Sequence, residues 1–370
     1  MLYQTKAPDI KFHTIPHRTA FTVFMITLAI IVPSNTTFPQ PQQDTSPGQE
    51  NPGSPEKFLP SAENDEAPVN LTPAANTDSG TAGTLPEAEH ELSRAPSPLD
   101  IVNALHSAYP HRIQEVTLRD DDYALRIDDQ WIYFAHSRFL PEDLRHQWED
   151  YDPITFYSYP RELPRFQLPD IEEQQRFERI VEERRTNPPR RHPGLYNAIW
   201  RAADKASSYA QVKTIYFLGL QTLAHRDLLS VMAAVEAEIH TVAEDNPEVA
   251  AFIDGLAGIE GYSFRRIAET SSLSFHSYGT AVDLVPTSYN GQSPYWLWAS
   301  RWNANWYLMS YEERYMLPLP VVEIFERHGF IWGGKWRLFD TIHFEYRPEI
   351  LILNGFTVDT PAVHNHRFSH

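Results

Sequence analysis

Residues 274–285 read SFHSYGTAVDLV, and the architecture of the chain is built around this segment. Six residues separate His276 from Asp283, and between them Gly279 permits a tight turn. The residues after the turn alternate in polarity, which predicts a strand with Asp283 on one face. The turn would bring His276 back beside Asp283. On spacing alone, this is either a hydrogen-bonded pair or part of a metal site.

A second segment, residues 329–348, reads GFIWGGKWRLFDTIHFEYRP. Its last part alternates like a strand and puts His343 and Glu345 on one face. Asp340 lies three residues before His343, at the entrance to this strand, where it can hydrogen-bond a water held by whatever His343 ligates. Two histidines and one aspartate leave a fourth metal position open for water, and a further carboxylate can serve as base. The two segments together predict a hydrolytic zinc site.

The motifs S-x-H-x-x-G-x-A-x-D and D-x-x-H-F-E-Y-R-P occur in this order, with G-F-x-W-G-G-x-W between them. The chain thereby resembles the M15 zinc peptidases, which are D-alanyl-D-alanine carboxypeptidases and related peptidoglycan endopeptidases, including the VanY-like group. The resemblance is close over residues 261–349. A looser similarity at residues 131–141 and 212–225 indicates an N-terminal elaboration.

The resemblance implies roles for individual residues. His276, Asp283 and His343 correspond to the zinc ligands, and Asp340 corresponds to the catalytic base. Some branches of the family have glutamate at the base position, and the shorter aspartate is expected to do the same work from a slightly closer strand. Arg265 corresponds to the arginine that stabilises the oxyanion or holds substrate.

Further residues are predicted to contact substrate or to support the site. Arg266 is the alternative to Arg265. Ser274 is predicted to be one of the substrate-binding residues. Its hydroxyl either orients the loop of His276 by a hydrogen bond or serves only in a turn. Trp332 and Trp336 are expected near the catalytic strand, with at least one of them lining the cleft.

The sequence leaves the roles of several other groups open. Glu345 either accepts a hydrogen bond that fixes a histidine tautomer, or serves in packing or a surface salt bridge. Four tryptophans either wall a cleft for a muropeptide or pack in the core: Trp296, Trp298, Trp302 and Trp306. The histidines of the C-terminal tail, which either bind metal or are simply solvated, are His364, His366 and His370.

The predicted fold class is α+β. A small antiparallel sheet carries the zinc site and is flanked by helices, in the hedgehog/D-Ala-D-Ala peptidase type of architecture that the resemblance implies. Residues 211–355 are expected to form the peptidase domain, with residues 212–223 as one buried strand. Residues 97–210 are expected to form an N-terminal extension of the catalytic unit, with a helical part and a β-hairpin region of three short antiparallel strands at residues 114–134.

Composition bounds the function. The 370 residues include no cysteine, which excludes disulfide scaffolds, thiolate metal sites and cysteine nucleophiles. The net charge is −18, so the chain lacks the cationic surplus that a nucleic-acid partner requires. The expected partners are peptidoglycan stem peptides, the expected cofactor is Zn²⁺, and the chain is expected to be a monomer.

The ends of the chain differ in composition from the rest. Residues 1–34 carry basic residues before an uncharged run at 19–32, which predicts a signal peptide or a membrane anchor and therefore export to the periplasm or cell envelope. Residues 35–96 are rich in Pro, Ser and Glu and predict a disordered linker. Residues 356–370 form a tail.

Two other functions are weighed against peptide hydrolysis in the wall. One is a catalytically silent wall-binding module that keeps zinc for structure, against which an intact Asp340 argues. The other is a D,D-dipeptidase selective for free dipeptides. Hydrolysis in the wall would either remove a terminal D-alanine, as a carboxypeptidase does, or open a cross-link or the L-Ala–D-Glu bond, as an endopeptidase does.

Overall fold

A computed structural model describes residues 95–267 and 272–359. The predicted export segment 1–34, the linker 35–96 except its last two residues, and the tail histidines lie outside the described residues. The strands are β1 (Ile113–Arg119), β2 (Asp122–Ile127), β3 (Gln130–Ala135), β4 (Arg138–Pro141), β5 (Val212–Phe217), β6 (Leu220–His225), β7 (Leu256–Glu260), β8 (Ala281–Pro286), β9 (Phe330–Trp332) and β10 (His343–Tyr346). The helices are α1 (Pro98–Ala108), α2 (Ile171–Thr186), α3 (Gly194–Trp200), α4 (Lys205–Tyr209), α5 (Leu229–Asp245), α6 (Pro247–Asp254), α7 (Trp296–Ala299), α8 (Leu319–Arg327) and α9 (Pro348–Leu353).

The first sheet is an antiparallel meander in the order β1-β2-β3-β4. Its turns are short, and that between β1 and β2 has Asp120 and Asp121 at positive φ, as a two-residue hairpin turn of matching twist requires. Helix α1 precedes the meander and begins with a capping box between Ser97 and Asp100. The predicted hairpin extension is therefore present, with a fourth strand that the sequence did not indicate.

Residues 212–223 do not form the single strand expected from the sequence. They belong to a two-stranded hairpin, β5 and β6, which is paired from Val212–His225 to Phe217–Leu220. Leu218 and Gly219 both have positive φ and make the turn. An apolar leucine at a turn position gave no sequence signal, and the prediction of one buried strand is wrong for this reason.

The second sheet has the order β7-β8-β10-β9, and all of its pairs are antiparallel. We call it the metal sheet. One of its faces is apolar and includes Phe344, whose ring stacks on Phe325 of α8 at a centroid distance of 3.9 Å. The other face carries His343 and Asp283. The burial of the apolar face holds the sheet in place and fixes the direction in which the polar side chains point.

One hydrophobic core runs from the first sheet to the metal sheet. It includes Leu105 of α1, Leu125 of β2, Val235 of α5 and Phe344 of β10, and α1 packs against α9. The α+β fold class with a small antiparallel sheet is confirmed. Within residues 95–267 and 272–359, no helix is both long and apolar enough to cross a membrane.

Candidate metal centre and active site

The metal sheet brings the two chemically conspicuous segments together on neighbouring strands. His343 of β10 lies directly opposite Asp283 of β8, so both side chains leave the sheet on the same face. His276 lies in a 3₁₀ turn, Phe275–Tyr278, shortly before β8. All three side chains are buried. The structure thus places the three predicted ligands in one group, which we call the His–Asp–His cluster.

The spacing of the ligand atoms in the His–Asp–His cluster fits a metal ion. Nε2 of His276 lies 3.2 Å from Oδ1 of Asp283, and Nδ1 of His343 lies 2.7 Å from the same oxygen. One ligand atom from each residue lies within 4.8 Å of the other two. Ligand atoms at about 2.0 Å from a tetrahedral zinc are about 3.3 Å from one another. Two imidazoles and a carboxylate are also a donor set that zinc accepts.

Two glycines fix the orientation of His276. Its Nδ1 lies against the carbonyl oxygen of Gly261, and because a carbonyl can only accept, Nδ1 carries the proton and Nε2 turns its lone pair towards Asp283. A Cβ on Gly261 would lie 2.1 Å from the carbonyl oxygen of Leu223. Gly279 ends the turn with a φ of 72°, where a side chain would be strained. The close approach that orients His276 therefore requires glycine.

The second nitrogen of His343 lies against Glu345. Nε2 is 3.3 Å from Oε1 of Glu345, which follows two residues later on the same face of β10. A buried carboxylate accepts, so Nε2 carries the proton and Nδ1 is the ligand atom that faces Asp283. Of the roles left open by the sequence, the contact favours a hydrogen-bond acceptor for the histidine, and the buried Glu345 also pairs with Arg347.

The two histidines stabilise the charged form of Asp283. Burial by itself raises the pKa of this carboxyl, but its interactions with His276 and His343 outweigh burial and hold the pKa far below its ordinary value. Asp283 is therefore an anion at neutral pH, which is the form that ligates a metal.

Asp340 lies at the entrance of β10, as the sequence predicts. Its backbone N–H donates to the carbonyl oxygen of Gly333 at 3.0 Å, and its own carbonyl oxygen accepts from the N–H of His343 at 3.3 Å. Its side chain is buried. Burial and the negative charges of Asp340 and Asp283 raise the pKa of Tyr289. The backbone of Asp340 is thus tied to both Gly333 and His343 at the entrance of the strand.

Arg265 is tied to the turn that carries His276. Its backbone N–H donates to Oγ of Ser277 at 2.9 Å, and its carbonyl oxygen accepts from the same hydroxyl at 2.6 Å. The three guanidinium nitrogens are enclosed, and within the described residues none of them has a hydrogen-bond partner. Enclosing a cation without an acceptor is unfavourable, so the group is suited to an oxygen supplied by a ligand. The alternative, Arg266, is exposed.

The three residues predicted to contact substrate have different surroundings. Oγ of Ser274 accepts from the N–H of His276 at 3.2 Å, so this serine orients the turn. Trp332 is the strand partner of Phe344, so its side chain lies on the face of the sheet away from His343. It is fully buried, and its indole N–H donates to the carbonyl oxygen of Thr341. Its predicted place at a cleft therefore has no support in the fold. The ring of Trp336 lies 5.7 Å from that of His343.

Sequence reasoning missed Glu260. It is the partner of Asp283 in the β7–β8 register, so Glu260, Asp283 and His343 form a row across three strands. Glu260 also lines a groove of about 410 Å³ that is bounded by residues 221–223 and 259–263. Only the strand register reveals this neighbour, because 22 residues separate it from Asp283 and no motif connects them.

The tryptophans after β8 divide between the two roles left open. Trp296 and Trp306 are buried and pack at a centroid distance of 4.9 Å in a core of their own with Phe339. Trp298 is partly buried and contacts Tyr289 edge to face. Trp302 is 65% exposed. Core packing is therefore the role of the first two.

Comparison with known proteins agrees with the geometry. Residues 268–346 match the M15 peptidase family model described as D-alanyl-D-alanine carboxypeptidase. Residues 101–156, which span most of α1 and the whole first sheet, match a model described as a domain of unknown function. No curated protein and no solved structure matches the chain.

Proposed function

We propose that the chain is an exported zinc metallopeptidase that hydrolyses peptide bonds in peptidoglycan stem peptides, and the match of residues 268–346 to the M15 peptidase family model supports this. One observation carries the proposal. Three residues before His343, one of the ligands of the buried His–Asp–His cluster, the chain carries a further buried carboxylate, Asp340. A site that bound metal only for stability would have no use for that carboxylate.

The residues of the site fit zinc, as described above. His276 and His343 would each offer one nitrogen and Asp283 one oxygen, which leaves room for a further ligand. When bound there, zinc supplies the Lewis acidity that makes hydrolysis feasible at neutral pH.

Asp340 is proposed as the general base and then the general acid. Its carboxylate accepts a proton from the attacking water and later delivers that proton to the leaving amine. A positioned acid–base group of this kind contributes about 100- to 10,000-fold in rate. The short link from Asp340 to His343 along the chain keeps the carboxylate and the ligand in a fixed relation.

Arg265 is proposed to bind the oxygen on which negative charge develops. Its enclosed guanidinium nitrogens provide donors that are already oriented, and losing one such donor typically costs about 100- to 1,000-fold in rate. The hydrogen bonds of its backbone to Ser277 hold it next to the turn of His276.

The substrate class rests on the family description, and the groove beside Glu260 is a candidate for part of its binding surface. Export rests on the apolar run at residues 19–32 after a basic flank. A signal peptide or an anchor with the linker 35–96 would place the enzyme in the cell envelope, where its substrate is found.

Incubation of the full chain with zinc on purified muropeptides tests the proposal, with products identified by mass spectrometry. Loss of a terminal alanine would identify a carboxypeptidase, and cleavage within the stem or a cross-link would identify an endopeptidase. Cleavage of free dipeptides alone would identify a D,D-dipeptidase. Zinc binding without any cleavage would identify the silent wall-binding module and refute the proposal. Asp340→Asn is the matched control.

A further inference from the structure

Behind His343 lies a buried row of charged residues that the proposed mechanism does not use. Glu345, Arg347 and Glu349 follow one another at every second residue, and all three are buried. Arg347 connects the two carboxylates. Its Nη1 lies 3.4 Å from Oε2 of Glu345, and its Nε lies 2.6 Å from Oε1 of Glu349. We call these three residues the charge row.

The charge row ends on two tyrosines of the N-terminal extension. The hydroxyl of Tyr109, at the end of α1, donates to Oε2 of Glu349 at 2.6 Å. The hydroxyl of Tyr196, in α3, donates to Oε1 at 2.9 Å. Tyr109 lies within the residues that match the domain of unknown function. The extension thus supplies hydrogen-bond donors to a network that begins at the proposed metal ligand His343.

The electrostatics of the charge row require all of its members. Two buried carboxylates and one guanidinium leave an excess negative charge, and a buried charge is costly unless it is paired and hydrogen-bonded. Burial and the Glu349 charge raise the pKa of Tyr109 far above its ordinary value, so its phenol stays protonated and donates. The surrounding negative groups outweigh burial and raise the pKa of Arg347, so it stays charged.

We propose that Glu345 is the positioning residue for the ligand His343, and that Tyr109 and Tyr196 of the N-terminal extension set metal affinity by holding the Arg347–Glu349 pair that fixes Glu345. The inference rests on the proposed function, because it assumes that His343 binds a metal. It gives residues 101–156 a part in the site: they complete the support of one ligand.

A second buried network provides a comparison within the same chain. Glu326 pairs with Lys335 at 2.6 Å and accepts a hydrogen bond from the hydroxyl of Tyr159 at 2.5 Å. It has the same kinds of members as the charge row and similar burial. Within residues 95–267 and 272–359, Glu326 has no hydrogen bond or ion pair with His276, Asp283 or His343, so this network should contribute to stability alone.

The test compares Glu345→Gln with Glu326→Gln in the full chain. Zinc affinity is measured on the apo-protein by competition with a chelator, and the ligand geometry is read from the absorption spectrum of the Co²⁺-loaded protein. Glu345 uses one oxygen towards His343 and the other towards Arg347, and in glutamine one of these two positions becomes an NH2 group, which donates where an acceptor is needed. We expect zinc affinity to fall by about 10- to 100-fold in Glu345→Gln, with a changed Co²⁺ spectrum. Glu326→Gln should keep both readouts.

Tyr109→Phe and Tyr196→Phe test the part of the extension. Each removes one donor to Glu349, and a lost hydrogen bond of this kind should weaken zinc affinity by about 2- to 10-fold. Wild-type affinity and spectrum in Glu345→Gln would overturn the positioning role, as would an equal loss in Glu326→Gln. Wild-type affinity in both tyrosine variants would overturn the role of the extension.

Glu345→Asp replaces the glutamine variant if that protein does not fold. The aspartate keeps the charge but withdraws the carboxylate from His343 by one methylene, so zinc affinity should again fall, and unchanged affinity would overturn the proposal. Failure of this proposal can be distinguished from failure of the proposed function. Absence of zinc binding by the wild-type chain would refute both proposals, whereas normal binding by every variant would refute only this one.

Discussion

The two four-stranded sheets of this protein are built on opposite plans. In the first sheet, each strand pairs with the next one along the chain, and the buried side chains are apolar, as at Leu125 and Ile132. In the metal sheet, β10 lies between β8 and β9, and the face opposite the apolar one, which is also buried, carries Asp283 and His343. Both sheets share one hydrophobic core.

The difference separates stability from chemistry. Buried apolar residues stabilise a sheet wherever they occur, whereas buried charges are costly unless they are paired or coordinate a metal. The concentration of buried ionisable groups in the metal sheet therefore indicates a function, and the first sheet should support that function only through packing. Substitutions in the two sheets should differ in kind, as the following predictions specify.

The largest effect is expected from His343→Ala. Removing one of three ligands should abolish stoichiometric zinc binding and with it the hydrolysis of muropeptides. Metal content after dialysis, measured by atomic emission, checks the prediction. Stoichiometric zinc in the dialysed variant would remove His343 from the ligand set, and Asp283→Ala and His276→Ala are tested in the same way.

Asp340→Asn should separate metal binding from catalysis. The amide keeps the shape of the carboxylate but cannot accept the proton of the attacking water, so kcat should fall by about 100- to 10,000-fold while zinc content stays at the wild-type level. Steady-state kinetics and metal analysis on the same preparation check both halves. Retained turnover would exclude Asp340 as the base.

Arg265→Ala should lower kcat/KM by about 100- to 1,000-fold, because the enclosed guanidinium would no longer stabilise the developing charge. Arg266→Ala is the matched control. It removes the same charge from the next residue, which is exposed, and should leave kcat/KM close to that of the wild type. Equal losses in the two variants would point to a general electrostatic effect and against a specific role for Arg265.

The smallest effect on chemistry is expected in the first sheet. Leu125→Ala leaves a cavity in the core and should lower the free energy of unfolding by about 2–5 kcal/mol. Zinc content and kcat, measured at a temperature where the variant is folded, should not change. Denaturant unfolding and metal analysis check this, and loss of zinc from the folded variant would mean that the two sheets are not separable in this way.

The sequence predicted those parts of the site whose residues lie close together along the chain. His276 and Asp283 are joined by a short turn, and His343 and Asp340 share a strand entrance, so local pattern was enough to group them. The family resemblance to M15 peptidases supplied the pairing of the two groups, and the matching family model agrees with it.

The rest depended on register and long-range packing. Glu260 meets Asp283 only because β7 pairs with β8. Tyr109 reaches Glu349 across 240 residues of sequence. The contact between Tyr109 and Glu349 forms because α1 packs against α9, and the periodicity of neither helix predicts that packing. The hairpin turn at Leu218 was likewise not predicted, because leucine rarely adopts the positive φ that it has there.

The central claim is that the His–Asp–His cluster holds the metal on which peptide hydrolysis depends. The most direct measurement is the rate of muropeptide cleavage by the full chain before chelation, after removal of metal by a chelator, and after addition of zinc. The account predicts that chelation abolishes cleavage and that zinc restores it in the wild type and not in His343→Ala. Cleavage that continues unchanged in the metal-free protein would contradict it.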